Sequence, residues 1–264
     1  MSSNSGSGSK PTAKVAVAVE NVTKIYPGGV EALNNMTLEF PEGELTSLLG
    51  PSGCGKTTLL KIIAGLLPAT SGKVTVNGEP VTGPGKERAF VFQDFALMPW
   101  ASIIRNVAFG LELQGVAKSE RMAIAEKQIA DVGLKGFENH FPHQLSGGMR
   151  QRVGLARALA VDAEVLLMDE PFSAVDEQTR RKFQEELLGV VANQKKTFIF
   201  VTHSIEEAVY VSQSIALLLP RPSRVSEIIR PDIRRDITPD AIRRDPVYLD
   251  TVERIWQGLR TYVE

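Results

Sequence analysis

One stretch, residues 45–65, restricts the possible folds more than any other. A short apolar run, Leu45–Leu49, leads straight into Gly50-Pro51-Ser52-Gly53-Cys54-Gly55-Lys56-Thr57, and a helical pattern follows over residues 56–65. A brief apolar run closed by glycines reads as a strand buried on both faces of a parallel sheet. The loop fits G-x-x-x-x-G-K-[ST] and lies where that pattern has meaning, after a strand and before a helix. Its glycines let the backbone wind tightly, so that successive N–H groups aim at phosphate oxygens. The helix behind it adds the positive end of its dipole. Gly50, Pro51, Ser52, Gly53, Cys54, Gly55, Lys56, Thr57 and Thr58 are therefore candidate phosphate-binding residues. Lys56 supplies a point charge for the β- and γ-phosphates, and the Thr57 hydroxyl is a magnesium ligand.

Around this unit the chain alternates strands and helices. Residues 15–26 alternate apolar and polar side chains up to Pro27-Gly28-Gly29 and read as an edge strand, with further strands over 33–40, 74–77 and 90–93. Residues 102–160 are helical in pattern, with Ser119 as the expected cap of a segment to Val132 and a helix after Ser146. Strands return at 165–168 and 197–202, separated by a helix over 176–191. Such alternation implies an α/β domain on a parallel sheet, with residues 94–160 an inserted helical lobe.

The bulk numbers fit an interior globular enzyme. Charged residues are 23% and the net charge is -1, so a general nucleic-acid binder is not expected. The single cysteine excludes an intrachain disulfide framework and suits a reducing compartment. No apolar run reaches the ~20 residues that a transmembrane helix requires. Residues 1–9 are a Gly/Ser/Asn tract, read with the next few as a flexible leader over 1–14. Residues 221–264 carry nine arginines, no lysine and eight acids, broken by four prolines. They read either as a structural tail with internal ion pairs or as a regulatory, subunit-docking appendage.

Two further motifs carry chemistry. Val165-Leu166-Leu167-Met168 is an apolar strand ending in Asp169-Glu170, with Asp169 the candidate metal ligand and Glu170 the candidate for orienting the attacking water. Leu145-Ser146-Gly147-Gly148-Met149-Arg150-Gln151-Arg152 places a serine and two glycines before a helix, a second anion site of backbone N–H groups. This last element resembles the LSGGQ-type signature of the ABC ATPase family, with Met149 where glutamine is usual.

The resemblance covers roughly residues 15–220 and implies a P-loop NTPase (RecA-like) parallel-sheet core. To that core belong an N-terminal antiparallel β subdomain and an inserted α-helical signature subdomain. It implies that Ser146, Gly147 and Gly148 bind the γ-phosphate of ATP held by the other subunit. Gln93 matches the glutamine that senses magnesium and the attacking water, so the implied metal set is Thr57, Gln93 and Asp169. Ser173-Ala174-Val175-Asp176 matches the D-loop and His203 the switch histidine. Glu170, His203 and Gln93 are thus the catalytic candidates, and Asp176 joins the nucleotide contacts. Tyr26 stands where the family stacks an aromatic ring on adenine, a plain strand-end aromatic being the alternative. His140 and His143 match nothing and read as structural.

Gly83-Pro84-Gly85-Lys86-Glu87-Arg88, Val91-Phe92-Gln93-Asp94, Leu97-Met98-Pro99-Trp100 and Pro220-Arg221-Pro222 are most similar to ATPases of nitrate-, sulfonate- and bicarbonate-type importers. The implied function is ATP hydrolysis, with Mg2+, that drives import through separate transmembrane permease subunits. The implied partners are a second copy or homologous ATPase subunit and an extracytoplasmic solute-binding protein. The implied place is the cytoplasmic face of the inner membrane. The alternatives are an exporter subunit or a non-transport ABC ATPase acting on nucleic acid or the ribosome. Neither long heptads nor a second cassette, marks of the non-transport classes, is present. Phe95, Leu97, Met98 and Trp100 form either a permease-docking patch or the lobe's own small core. Cys54, at a helix N-terminus, is expected to be a reactive thiol that Mg-ATP protects.

Overall fold

The computed structural model describes residues 14–173 and 175–260. All of the expected leader except Lys14 therefore lies outside the described residues. In chain order the elements are β1 (Val15–Ile25), β2 (Glu31–Pro41), β3 (Leu45–Leu49), α1 (Lys56–Ile63), β4 (Ser71–Val76), β5 (Glu79–Pro80) and β6 (Arg88–Val91). There follow α2 (Ile103–Leu113), α3 (Lys118–Asp131), a 3-10 turn (Pro142–Gln144), α4 (Gly147–Ala160), β7 (Val165–Asp169) and α5 (Glu177–Asn193). The chain closes with β8 (Thr197–Thr202), α6 (Ile205–Val211), β9 (Ser214–Leu218), β10 (Val225–Ile229), α7 (Pro239–Ile242) and α8 (Pro246–Arg260).

The strands make two sheets. The larger runs β10-β9-β3-β8-β7-β6, parallel throughout except that β10 is antiparallel to β9. Its central strands are buried on both faces, so their side chains alternate between two cores. Leu45 and Leu49, Leu166 and Met168, and Phe198 and Phe200 face the core shared with α2–α6 and α8. Leu48, Leu167, Ile199 and Val201 face the core shared with α1 and the smaller sheet. This two-sided burial is why the strands read as apolar runs rather than alternations.

The smaller sheet is antiparallel, in the order β2-β1-β4-β5. Here β1 pairs with both β2 and β4, so it is an interior strand and not the expected edge. Alternation reports that one face is solvated, and it carries no information about lateral neighbours. A second difference is in the helical lobe. The expected cap Ser119 lies inside α3, which begins at Lys118 with Ala117 at its cap position and Glu120 in the first turn.

Beyond Leu218 the chain stays on the core. β10 extends the large sheet, Arg235 donates to the carbonyls of Tyr210 and Ser212 at 2.6 and 2.8 Å, and Arg243 stacks 3.9 Å over the Tyr210 ring. Arg230 pairs with Glu44 at 3.0 Å, and Arg254 with Glu227. α8 buries Tyr248 and Ile255, and burial pushes the Tyr248 hydroxyl up to about 12.

Candidate functional site

The phosphate loop is shaped by its glycines. Gly53 and Gly55 have φ of 73° and 116°, a region that side chains rarely enter. At Gly55 an added Cβ would sit 2.9 Å from Leu33 and 3.0 Å from the Ala32 carbonyl, and at Gly50 it would sit 2.7 Å from the Leu218 carbonyl. The loop is thus pressed against β2 on one side and the end of β9 on the other. Lys56 opens α1 with only 5% of its surface exposed. Its ammonium donates to the carbonyls of Gly50 at 2.7 Å and Pro51 at 2.9 Å, which satisfies a buried charge. It lies folded over the loop that its charge is expected to serve.

Thr57, next on α1, donates its hydroxyl to Asp169 Oδ1 at 2.8 Å across 112 residues of sequence. The parallel register of β3, β8 and β7 brings the loop and the acidic strand end together. Burial raises the Asp169 carboxyl above its ordinary value and Glu170 adds to this, against the Thr57 bond and the charges of Lys61 and Lys56. Glu170 has φ of 45°, which costs roughly 1–3 kcal/mol for a residue with a side chain. Several contacts hold it there. Its N–H donates to the Val201 carbonyl at 3.0 Å, and its carbonyl accepts from Ser173 N and Oγ at 3.1 and 3.0 Å. Phe172, edge-on to Phe183 at 5.2 Å, anchors the turn that follows. The strained backbone aims the Glu170 carboxylate at His203, whose Nδ1 lies within hydrogen-bond distance of Oε2 at 3.1 Å.

Tyr26, Val30, Ala32, Gly53, Gly55, Lys56, Thr57, Thr58, Glu170 and Arg221 line one cleft of about 210 Å³. Tyr26 is fixed at its rim through a 3.1 Å hydrogen bond between its hydroxyl and Thr58 Oγ1. Ser146, Gly147 and Gly148 lie outside the cleft, at the N-terminus of α4, where Ser146 Oγ accepts from Met149 N at 3.3 Å. Gly148 is required there, since a Cβ would meet Thr179 of α5 at 2.7 Å. Asp176 caps α5, accepting from Thr179 N at 3.0 Å and Thr179 Oγ1 at 2.8 Å, bonds that hold its carboxyl below its ordinary value. Gln93 is not at a strand end as expected. β6 stops at Val91, and Gln93 sits two residues on, in an exposed turn outside the cleft.

Two expectations change on structural grounds. Cys54 is 1% exposed and packs in the core beneath the loop, so the sequence position that suggested a reactive thiol points it inward. A thiol reagent should therefore label native protein far more slowly than urea-unfolded protein, which mass spectrometry would measure. Equal rates in the two states would contradict this burial. Phe95 is also buried, at 4%, against Gly154 of α4, and Arg157 donates to the Phe95 and Ala96 carbonyls at 2.6 and 2.8 Å. Of the proposed docking patch, Trp100 is the residue that stands out, at 77% exposed. Asn106 holds the turn beneath it through the Met98, Ala101 and Ser102 backbone. Arg221 was missing from the expected site, although Pro220-Arg221-Pro222 was visible as a motif.

The comparisons with known proteins concern the family and the fold. The sequence model of the ABC transporter family matches residues 33–173. An uncharacterized ABC transporter ATP-binding protein of Methanocaldococcus jannaschii is 54% identical over 225 residues, 84% of each chain. The taurine import ATP-binding protein of Pseudomonas syringae pv. tomato is 46% identical over 242 residues, 90% of this chain and 93% of that one. Among solved structures, the fold is similar to a dimeric post-hydrolysis ATP-binding cassette holding ADP and phosphate. It matches with a TM-score of 0.73 and 34% identity over 81% of this chain and 98% of that one. With a phosphate loop, paired strand-end carboxylates and a capped signature helix in one P-loop NTPase fold, the chain belongs to the ABC transporter ATP-binding family and is the ATPase of a transporter.

Proposed function

We propose that this chain hydrolyses Mg-ATP between two ATPase subunits and thereby drives import of a sulfonate-type solute through separate membrane-spanning permease subunits. The second ATPase subunit is another copy or a homologue, and an extracytoplasmic protein delivers the solute. The chain works at the inner face of the cell's inner membrane, and no helix among its described residues is long and apolar enough to cross a membrane. The observation that carries the reading is the separation of the two anion sites. Lys56, Thr57 and Glu170 line the cleft, while Ser146, Gly147 and Gly148 stand outside it on α4. A cleft complete for phosphate on one side and open on the other is what two chains closing face to face require. Relatives named for taurine import support the sulfonate end of the solute group over nitrate or bicarbonate.

The donor set at the bottom of the cleft fits a small hard cation. A hydroxyl and a carboxylate sit 2.8 Å apart, and burial holds the Asp169 carboxyl above its ordinary value despite the Lys61 and Lys56 charges. Magnesium held by Thr57 and Asp169, with Gln93 brought in as subunits close, would neutralise phosphate charge. Lys56 moves its ammonium from the Gly50 and Pro51 carbonyls to the β- and γ-phosphates. Glu170, held at one angle, orients a water at the γ-phosphate, and His203 steadies Glu170 and the departing phosphate. Tyr26 stacks on adenine, and Asp176 fixes the start of α5 beside the signature helix.

Trp100 is the expected permease contact. An aromatic ring that exposed, on a turn braced by Asn106, suits a pocket for a partner's short helix. In Trp100→Ala, solute uptake should fall about tenfold or more while basal ATP hydrolysis stays near normal. Unchanged uptake in cells would defeat the docking role. The wider reading is checked by labelled taurine and other alkanesulfonates in cells with and without this chain. Equal uptake of every one of them would remove the sulfonate assignment.

A further inference from the structure

The loop between β9 and β10 carries Pro220-Arg221-Pro222 and has no task in the reaction above. It is nevertheless firmly tied beside the cleft. Leu219 N donates to the Arg224 carbonyl at 3.0 Å, Ser223 N to Ala32 O at 3.0 Å, and Asn34 N to Ser223 O at 3.1 Å. Ser223, fully buried, also donates its hydroxyl to the Leu219 carbonyl at 3.1 Å. Proline rings on both sides of Arg221 fix the backbone further. Ala32, to which the loop is bonded, is itself a wall of the cleft.

From this base Arg221 reaches over the phosphate loop. Its Nη2 and Nε donate to the Gly53 carbonyl at 2.8 and 3.2 Å, and its side chain lines the cleft beside Lys56 and Thr57. Those two bonds occupy part of a guanidinium with five N–H donors, and among the described residues Nη1 is left for a ligand. Among the residues lining the cleft, Lys56 and Arg221 are the cations and Glu170 is the anion. A planar, permanently charged donor set with no acceptor matches phosphate oxygens better than an adenine edge, which pairs an acceptor with a donor.

We propose that Arg221 is a nucleotide-binding residue, which grips the Gly53 carbonyl and donates to the phosphate chain of ATP. This rests on the cleft being the ATP site. Its charge is already in place before nucleotide arrives, because the loop that bears it is tied to β2. The ordering cost of a long side chain is thereby reduced.

The test is nucleotide affinity of the purified full chain for ATP, ADP, AMP and adenosine at several salt concentrations, in Arg221→Gln and Arg221→Lys. Arg221→Gln should weaken ATP binding by about tenfold, leave adenosine binding unchanged, and flatten the dependence of ATP affinity on salt. Arg221→Lys, which keeps the charge, should recover most of the ATP affinity. Unchanged ATP affinity in Arg221→Gln, or an equal loss for adenosine and ATP, overturns the proposal. Lys56→Ala separates this from failure of the site itself. If wild type binds ATP and Lys56→Ala does not, an unaffected Arg221→Gln refutes the arginine's role alone. If wild type fails to bind ATP, the reading of the cleft fails with it.

Discussion

Glu170→Gln is expected to run on a sizing column as a monomer without nucleotide and as a dimer with ATP. Glutamine keeps the shape of the side chain held between β7 and His203 but loses the charge that orients water. Hydrolysis should fall by roughly a hundredfold or more, while ATP binding persists. If Ser146, Gly147 and Gly148 of one subunit complete the γ-phosphate site of the other, each uncleaved ATP is held by both chains. Two such ligands stabilise a pair that is weak alone, because ligand bound only to the assembled state shifts association by mass action. Hydrolysis removes the γ-phosphate, the contact is lost, and the pair opens. Adding Ser146→Arg to the same chain should abolish the ATP-dependent dimer, since a long side chain fills the phosphate site of its partner. The lost helix cap costs only about 1 kcal/mol, so the double variant should stay folded by circular dichroism. Equal dimerisation of single and double variants would end the shared-site mechanism for this protein.

Lys56→Ala is expected to abolish tight ATP binding and all measurable hydrolysis, because no other cation opens the helix behind the loop. From sequence alone this lysine is an exposed charge that packs against little, so its loss should leave the fold intact. The structure corrects the exposure and adds a stability cost. The ammonium is buried and bonded to the Gly50 and Pro51 carbonyls, and alanine removes that donor from both, although the Pro51 carbonyl keeps the Cys54 N–H at 3.3 Å. The variant should therefore lose about 1–2 kcal/mol, a drop in Tm of roughly 2–8 °C, while remaining folded. Calorimetry and nucleotide titration on one sample check both halves. Near-normal ATP turnover would remove the phosphate-loop assignment.

The parts legible beforehand were those whose cause is local. A glycine loop that must wind around phosphate needs its residues in sequence, so residues 50–58 could be placed without coordinates. The runs at β3, β7 and β8 announce themselves because two-sided burial makes most of their positions apolar. Ser146 before two glycines is a helix start by its own chemistry. The errors fall where the cause is distant. Nothing local to residues 15–25 says that β4 arrives on the far side of β1, and nothing local to Cys54 says that its side chain turns under the loop. Phe95 fits either a docking patch or the lobe's own core until Gly154, some sixty residues on, leaves room for it in the core.

By itself, then, the sequence determined the family and the candidate chemistry: which residues are placed to cradle phosphate and which carboxylates stand at a strand end. Tertiary structure alone decided how those groups meet. It brought Thr57 within 2.8 Å of Asp169 and His203 within 3.1 Å of Glu170, it set the signature serine outside the cleft, and it laid Arg221 on Gly53. The physical reason is that sheet register and loop tethering join residues 33, 112 and 168 positions apart, distances over which composition and periodicity carry no signal.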